Sequence, residues 1–191
     1  MEEKILIDDL KINYKILGEG KPLLILHGWG GSSDSWISVQ EILSKKGYEV
    51  VCPDLPGFGK SSNPSKGWDN DDYIDFILKF TEKIGFKNFS LLGHSFGGGL
   101  ATKFTVKHPE RVKSLILCDA AIIRDKKRLT LRQKFANFLA KIGNIFFSAP
   151  FFEKNFYPFA RKIVYKIAGV QDYYLAKGTM KETIKKVFKE D

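Results

Sequence analysis

The sequence predicts an α/β fold, a doubly wound and mostly parallel sheet, followed by a segment made only of helices. Three observations carry this. Up to Asp119, short β-type runs alternate with stretches of helical periodicity, the pattern of repeated strand–helix–strand units. One run, Leu23-Leu24-Ile25-Leu26 between Pro22 and Gly28, is continuously apolar, as a strand covered on both faces must be. After Asp119 the strand signal stops, and apolar residues recur only at helical spacing.

Taken in order, residues 4–7 and 11–16 read as two short strands joined by a turn at Asp8-Asp9. Residues 23–26 form the central strand. A helix over 33–46 leads into a strand at 48–52. Asn70 is the expected cap of the next helix, with Asp71, Asp72 and Asp75 in or near its first turn, where the positive end of the dipole favours carboxylates. The apolar face of that helix recurs at Tyr73, Ile77, Phe80 and Ile84. A strand at 89–92, a helix at 96–107 stopped by Pro109 and a sixth strand at 112–118 complete the alternation. Beyond them, Leu131, Phe135, Phe138, Ile142 and Ile145 mark one helical stripe. Phe156, Phe159, Ile163 and Ile167 mark a second, and Met180, Ile184 and Val187 a third. The stretch 63–70 reads as a mobile surface connection.

Composition narrows the class. With 191 residues, 43% apolar and 28% charged, the chain has ordinary globular usage, which excludes disordered, collagenous and disulfide-scaffold classes. Apolar runs of only a few residues predict no membrane span, and the opening MEEKILIDDL lacks the basic-then-apolar pattern of a secretory signal. Cys52 and Cys118 end apolar runs without C-x-x-C spacing and read as buried, reduced thiols, which fits a cytoplasmic setting. The net charge of +9 is segregated: residues 1–123 carry −1 and residues 124–191 carry +10. That break predicts two parts, a core at 1–123 and a helical, basic, aromatic-rich segment at 124–191. A neutral core without a binding motif argues against a nucleic-acid partner.

Chemistry concentrates in three places. Gly93-His94-Ser95-Phe96-Gly97 matches G-x-S-x-G, between a predicted strand and a predicted helix. A serine there sits on a sharp turn with its hydroxyl above the sheet, and the helix N-terminus behind it favours oxyanion charge. Upstream, the central strand leads into His27-Gly28-Trp29-Gly30-Gly31, a loop type that places a main-chain N–H opposite the nucleophile. The N–H groups of Trp29 and Phe96 are the candidate oxyanion hole. The third place is the turn-rich loop Pro53-Asp54-Leu55-Pro56-Gly57-Phe58-Gly59-Lys60-Ser61, where Asp54 reads as a structural acceptor for loop amides.

The stretches HGWGGSSDSW, PDLPGFGKSS and GHSFGG, in this order and spacing, resemble the α/β-hydrolase fold, in its capped esterase, C–C hydrolase, enol-lactonase and epoxide-hydrolase-like branch. The resemblance implies Ser95 as nucleophile and residues 124–191 as the start of a helical cap. The motifs do not fix a substrate class; the expected substrates are small, mostly apolar esters or related carbonyl compounds, hydrolysed without metal or organic cofactor. Serine at 95 fits ester or C–C hydrolysis over epoxide chemistry. The family orders its triad Ser, acid, His, and none of the three histidines here fits that order. His27 is expected to brace the oxyanion loop, His94 neighbours the nucleophile, and His108 lies a helix length away. Asp119, ending the sixth strand, is a candidate acid or a structural hinge. The triad His, and the acid if it is not Asp119, are therefore expected outside these 191 residues, in at least two further strand–helix units of about 30 residues each.

Two expectations follow. The sixth strand should form an apolar sheet edge, so a complementing chain or self-association becomes a candidate partnership besides the small-molecule substrate. The 13 aromatics and the lysines of 124–191 admit a cap over an apolar pocket or a basic membrane-surface face. A catalytically inactive binding module derived from a hydrolase, or a truncated gene product, is the alternative to an enzyme.

Overall fold

The computed structural model describes residues 1–121 and 176–187. Strands β1 (Glu2–Ile7) and β2 (Leu10–Leu17) form a hairpin that turns at Asp8, with φ at 51°. They are followed by β3 (Lys21–Leu26), β4 (Tyr48–Pro53), β5 (Phe89–His94) and β6 (Val112–Cys118). The sheet order is β1-β2-β4-β3-β5-β6. β2 meets β4 antiparallel, and β4, β3, β5 and β6 run parallel. The described helices are α1 (Ile37–Ser44), α2 (Asn70–Lys83), α3 (Phe96–Lys107) and α4 (Thr179–Val187).

The central apolar run is buried on both sides. Leu23 and Ile25 join Val50, Cys52 and Leu92 in a cluster packed by Trp36, Val39, Leu43 and Tyr48. Strand alternation turns Leu24, Leu26 and Val51 to the other face, and all three are fully buried. The rings of α2 and α3 reach the sheet where Phe80 meets Tyr14 at 5.5 Å and Phe104 meets Phe89 at 6.1 Å.

Several local expectations are corrected. Asp69, not Asn70, caps α2: its carboxylate accepts from the Asp72 N–H while Asp72 accepts from the Asp69 N–H, a reciprocal box that sets the helix phase one residue earlier. The helix expected over 33–46 divides into a 3-10 turn, Ser33–Trp36, and α1. The stretch 63–70 is pinned, because the Trp68 N–H donates to Thr183 Oγ1 and Lys186 Nζ to the Gly67 carbonyl. Cys52 is buried but Cys118 is exposed, since β6 ends the sheet order and leaves Ile116 and Leu117 more than 40% exposed.

Met1–Ile123 and Gly178–Asp191 make one compact unit, and Arg124–Lys177 a second. Within the first unit α4 buries Met180, Thr183, Ile184 and Val187. The helical stripes expected at 131–145 and 156–167 lie outside the described residues, as does most of the basic, aromatic segment. Among the described residues no helix is long and apolar enough to cross a membrane.

Candidate active site

Strand β5 ends at His94 and α3 begins at Phe96, so Ser95 alone makes the turn, at φ 50° and ψ −118°. Close packing requires glycine on either side. A β-carbon at Gly93 would lie 2.7 Å from the Gly98 Cα, and one at Gly97 would lie 2.6 Å from the His27 carbonyl. Strand, helix and the end of β3 thus meet at backbone distance. The main chain of Ser95 is tied from several directions. Its N–H donates to the Cys118 carbonyl at 3.1 Å, and its carbonyl accepts from the N–H groups of Gly98, Gly99 and Ala121 at 2.9, 3.2 and 3.0 Å.

The His27–Gly31 loop crosses over this elbow. A β-carbon on Gly28 would lie 3.2 Å from Ser95 Cβ and 3.0 Å from His94 Nδ1. His27 is buried and uses both ring nitrogens. Nε2 accepts from the Leu55 N–H at 2.9 Å, which fixes the tautomer, so Nδ1–H donates to the Gly28 carbonyl at 2.8 Å. Burial holds its pKa below the ordinary imidazole value, partly offset by the Gly28 carbonyl and the Asp54 charge. His27 therefore joins the His27–Gly31 loop to the loop after β4.

Rings bring the two candidate oxyanion residues together. Trp29 packs edge-on against Phe96 at 5.2 Å and against Phe58 at 4.9 Å. Tyr73 of α2 meets Phe96 at 5.3 Å, and its hydroxyl donates to the Pro56 carbonyl at 3.0 Å. Burial pushes the pKa of that hydroxyl far up, with the Asp72 charge adding to it, so it remains a donor. Being the first residue of α3, Phe96 has an N–H without an intrahelical acceptor.

Asp54 is the structural acceptor the sequence suggests. Buried at 1% exposure, its carboxylate accepts from the Ser33 N–H at 2.6 Å, Asn13 Nδ2 at 3.1 Å and the Lys60 N–H at 2.8 Å. Asn13, a buried amide between Ile12 and Tyr14 in β2, is a site residue that sequence reasoning misses, because no motif marks it.

The remaining candidates are not assembled into a triad. His108 caps the C-terminus of α3, about 18 Å of helix rise from Ser95, its ring tilted against Phe104 at 5.0 Å. The His94 ring lies 6.2 Å from Trp36 and lines, with Gly28 and Trp29, an open cleft of about 330 Å³. Asp119 follows β6 with φ at 46°, is exposed, and makes no side-chain hydrogen bond or ion pair among the described residues. No group of three or more metal-ligating side chains occurs among the described residues.

Residues 21–158 match the family model described as alpha/beta hydrolase fold. The chain belongs to the alpha/beta hydrolase fold family. Among its relatives, the (lyso)-N-acylphosphatidylethanolamine lipase of Bos taurus is 40% identical over 107 residues, covering 54% of this chain and 31% of the lipase. The 2-hydroxymuconate semialdehyde hydrolase of Pseudomonas sp. (strain CF600) is 31% identical over 121 residues, 62% of this chain and 43% of that enzyme. The alpha/beta hydrolase chain thus spans less than half the length of these curated relatives. Among solved structures, a membrane phospholipase A described as a bacterial virulence factor superposes with a TM-score of 0.69 at 25% identity, over 98% of this chain and 63% of its own.

Proposed function

We propose that this chain carries the nucleophile and oxyanion hole of a serine hydrolase for small, mostly apolar esters or related carbonyl compounds. The observation that carries the reading is Ser95, held at positive φ between β5 and α3 with the Gly28 loop crossing beside its Cβ. In this reading the Ser95 hydroxyl oxygen attacks the substrate carbonyl carbon. The N–H groups of Trp29 and Phe96 donate to the oxygen as it gains charge, and the α3 N-terminus adds its dipole. The rings of Trp29, Phe58 and Phe96 beside the elbow favour an apolar substrate, in keeping with the lipase and semialdehyde hydrolase among the relatives. This chemistry needs no metal or organic cofactor. Free thiols at Cys52 and Cys118 support a reducing, cytoplasmic setting.

In this reading no histidine of the chain serves Ser95 as general base. His27 has both nitrogens engaged and His108 stands at the far end of α3. Asp119 remains a candidate acid or hinge. Losing the base from a serine triad costs about 10⁶ in kcat, so the chain alone should be nearly inert. The same placement of the histidines favours a second reading, a binding module that keeps Ser95 without turnover.

A fluorophosphonate probe and p-nitrophenyl acetate, applied to the folded chain beside Ser95→Ala, test the proposal. The expected result is slow, Ser95-dependent labelling at high probe concentration, because without a base only about 10³–10⁴ over water remains, and no measurable turnover. Ser95-dependent turnover would place a base within the chain, and absence of labelling would leave the binding module.

A further inference from the structure

Helix α4 lies more than 110 residues downstream of the loop it touches, and it grips that loop at both ends. At the first end the Met180 thioether lies directly over Gly57, where a β-carbon would run into its sulfur. Gly57 also has φ at +90°. At the second end Thr183 Oγ1 accepts from the Trp68 N–H at 2.9 Å, Lys186 Nζ donates to the Gly67 carbonyl at 2.7 Å, and a β-carbon at Gly67 would meet Glu182 Cβ at 2.5 Å.

From each grip a path of rings leads to the same residue. Beside Gly57, Phe58 packs on Trp29 at 4.9 Å, and Trp29 on Phe96 at 5.2 Å. From the other end, Trp68 packs on Tyr73 at 5.1 Å, and Tyr73 on Phe96 at 5.3 Å. Both paths converge on the residue that follows the nucleophile. Edge-on aromatic contacts of this kind have defined geometry, and a closely packed interior transmits displacement.

We infer that α4 is a positioning strap for the nucleophile elbow, in which Met180 and Thr183 fix the 57–68 loop so that Trp29 and Phe96 keep their places beside Ser95. The inference rests on reading Trp29 and Phe96 as the oxyanion donors.

Hydrogen exchange read by mass spectrometry on the full 191-residue chain tests the strap. Met180→Ala should speed exchange about tenfold or more in the 55–68 loop, in 27–31 and in 95–99, while the sheet amides at 23–26 and 89–92 keep the parent rate. Met180→Leu, which conserves volume, should restore the parent pattern, and Lys185→Ala on the exposed face of α4 should leave it unchanged. Thr183→Val removes only the hydroxyl that Trp68 bonds, and gives the same pattern if Met180→Ala fails to fold. Acceleration confined to 55–68, or spread equally over the sheet, overturns the strap. A parent chain that the fluorophosphonate does not label counts against the nucleophile reading alone, and the exchange pattern still decides the strap.

Discussion

The Nε2 of His27 accepts a hydrogen bond from the Leu55 N–H at 2.9 Å, joining the loop after β3 to the loop after β4. Only the neutral ring can do this, because a proton on Nε2 would face the amide hydrogen. Burial depresses the His27 pKa in the folded chain, so below the ordinary value of about 6.5 the unfolded chain binds a proton that the folded one refuses. Stability from this site is therefore complete above about pH 6.5 and is lost as pH falls toward the folded value, at up to about 1.4 kcal/mol per unit. Urea unfolding between pH 7.5 and 5 should show this loss in the parent and a flatter profile in His27→Asn. Parallel profiles would show that the ring titrates as it does unfolded.

Asp54 concentrates three donors on one carboxylate, from Ser33, Asn13 and Lys60. Asp54→Ala leaves all three without an acceptor, and each such group costs about 1–3 kcal/mol where it is buried. The expected loss is about 3 kcal/mol or more, read as a lowered urea midpoint at unchanged m. Asp54→Asn keeps one oxygen and should cost roughly half as much. An alanine variant as stable as the parent would show that the loop is held by other bonds.

Strand β6 pairs with β5 and ends the sheet order, with Ile116 and Leu117 on opposite faces and each more than 40% exposed. An apolar edge with unpaired amides recruits another edge. The isolated chain should associate in a concentration-dependent way, and Ile116→Lys with Leu117→Lys should weaken that association at least about tenfold, the factor set by ~1.4 kcal/mol. Light scattering after size exclusion reads this directly. A parent chain that stays monomeric at high concentration would show the edge to be protected.

What the sequence discloses depends on how local the cause is. The Leu23–Leu26 run, the Asp8-Asp9 turn and the strand–Ser95–helix junction are each written within a few residues, and each is where the reading puts it. The α2 cap is misplaced by one because Asp69 and Asn70 are both competent caps, and only the reciprocal bond to Asp72 chooses between them. Cys118 reads as buried from its apolar neighbours, whereas exposure depends on what covers β6. Asn13 and Met180 are illegible for a different reason. Their partners, Asp54 and Gly57, lie 41 and more than 110 residues away, and no periodicity records such a pairing.

Ser95 itself shows how the site costs stability. At φ 50° and ψ −118° an L side chain is in a sparsely populated region that glycine enters freely, a strain of order 1–3 kcal/mol held in place by the surrounding bonds. Those bonds run through the Ser95 main chain, to Cys118, Gly98, Gly99 and Ala121, and none needs the hydroxyl. Ser95→Gly should therefore raise the urea unfolding free energy by about 1 kcal/mol, reduced somewhat by the greater freedom of glycine in the unfolded chain, while abolishing probe labelling. Ser95→Ala keeps the β-carbon and the strain, and should match the parent in stability. If both variants shift stability equally, the hydroxyl contributes to the fold, and the elbow is not strained by its side chain.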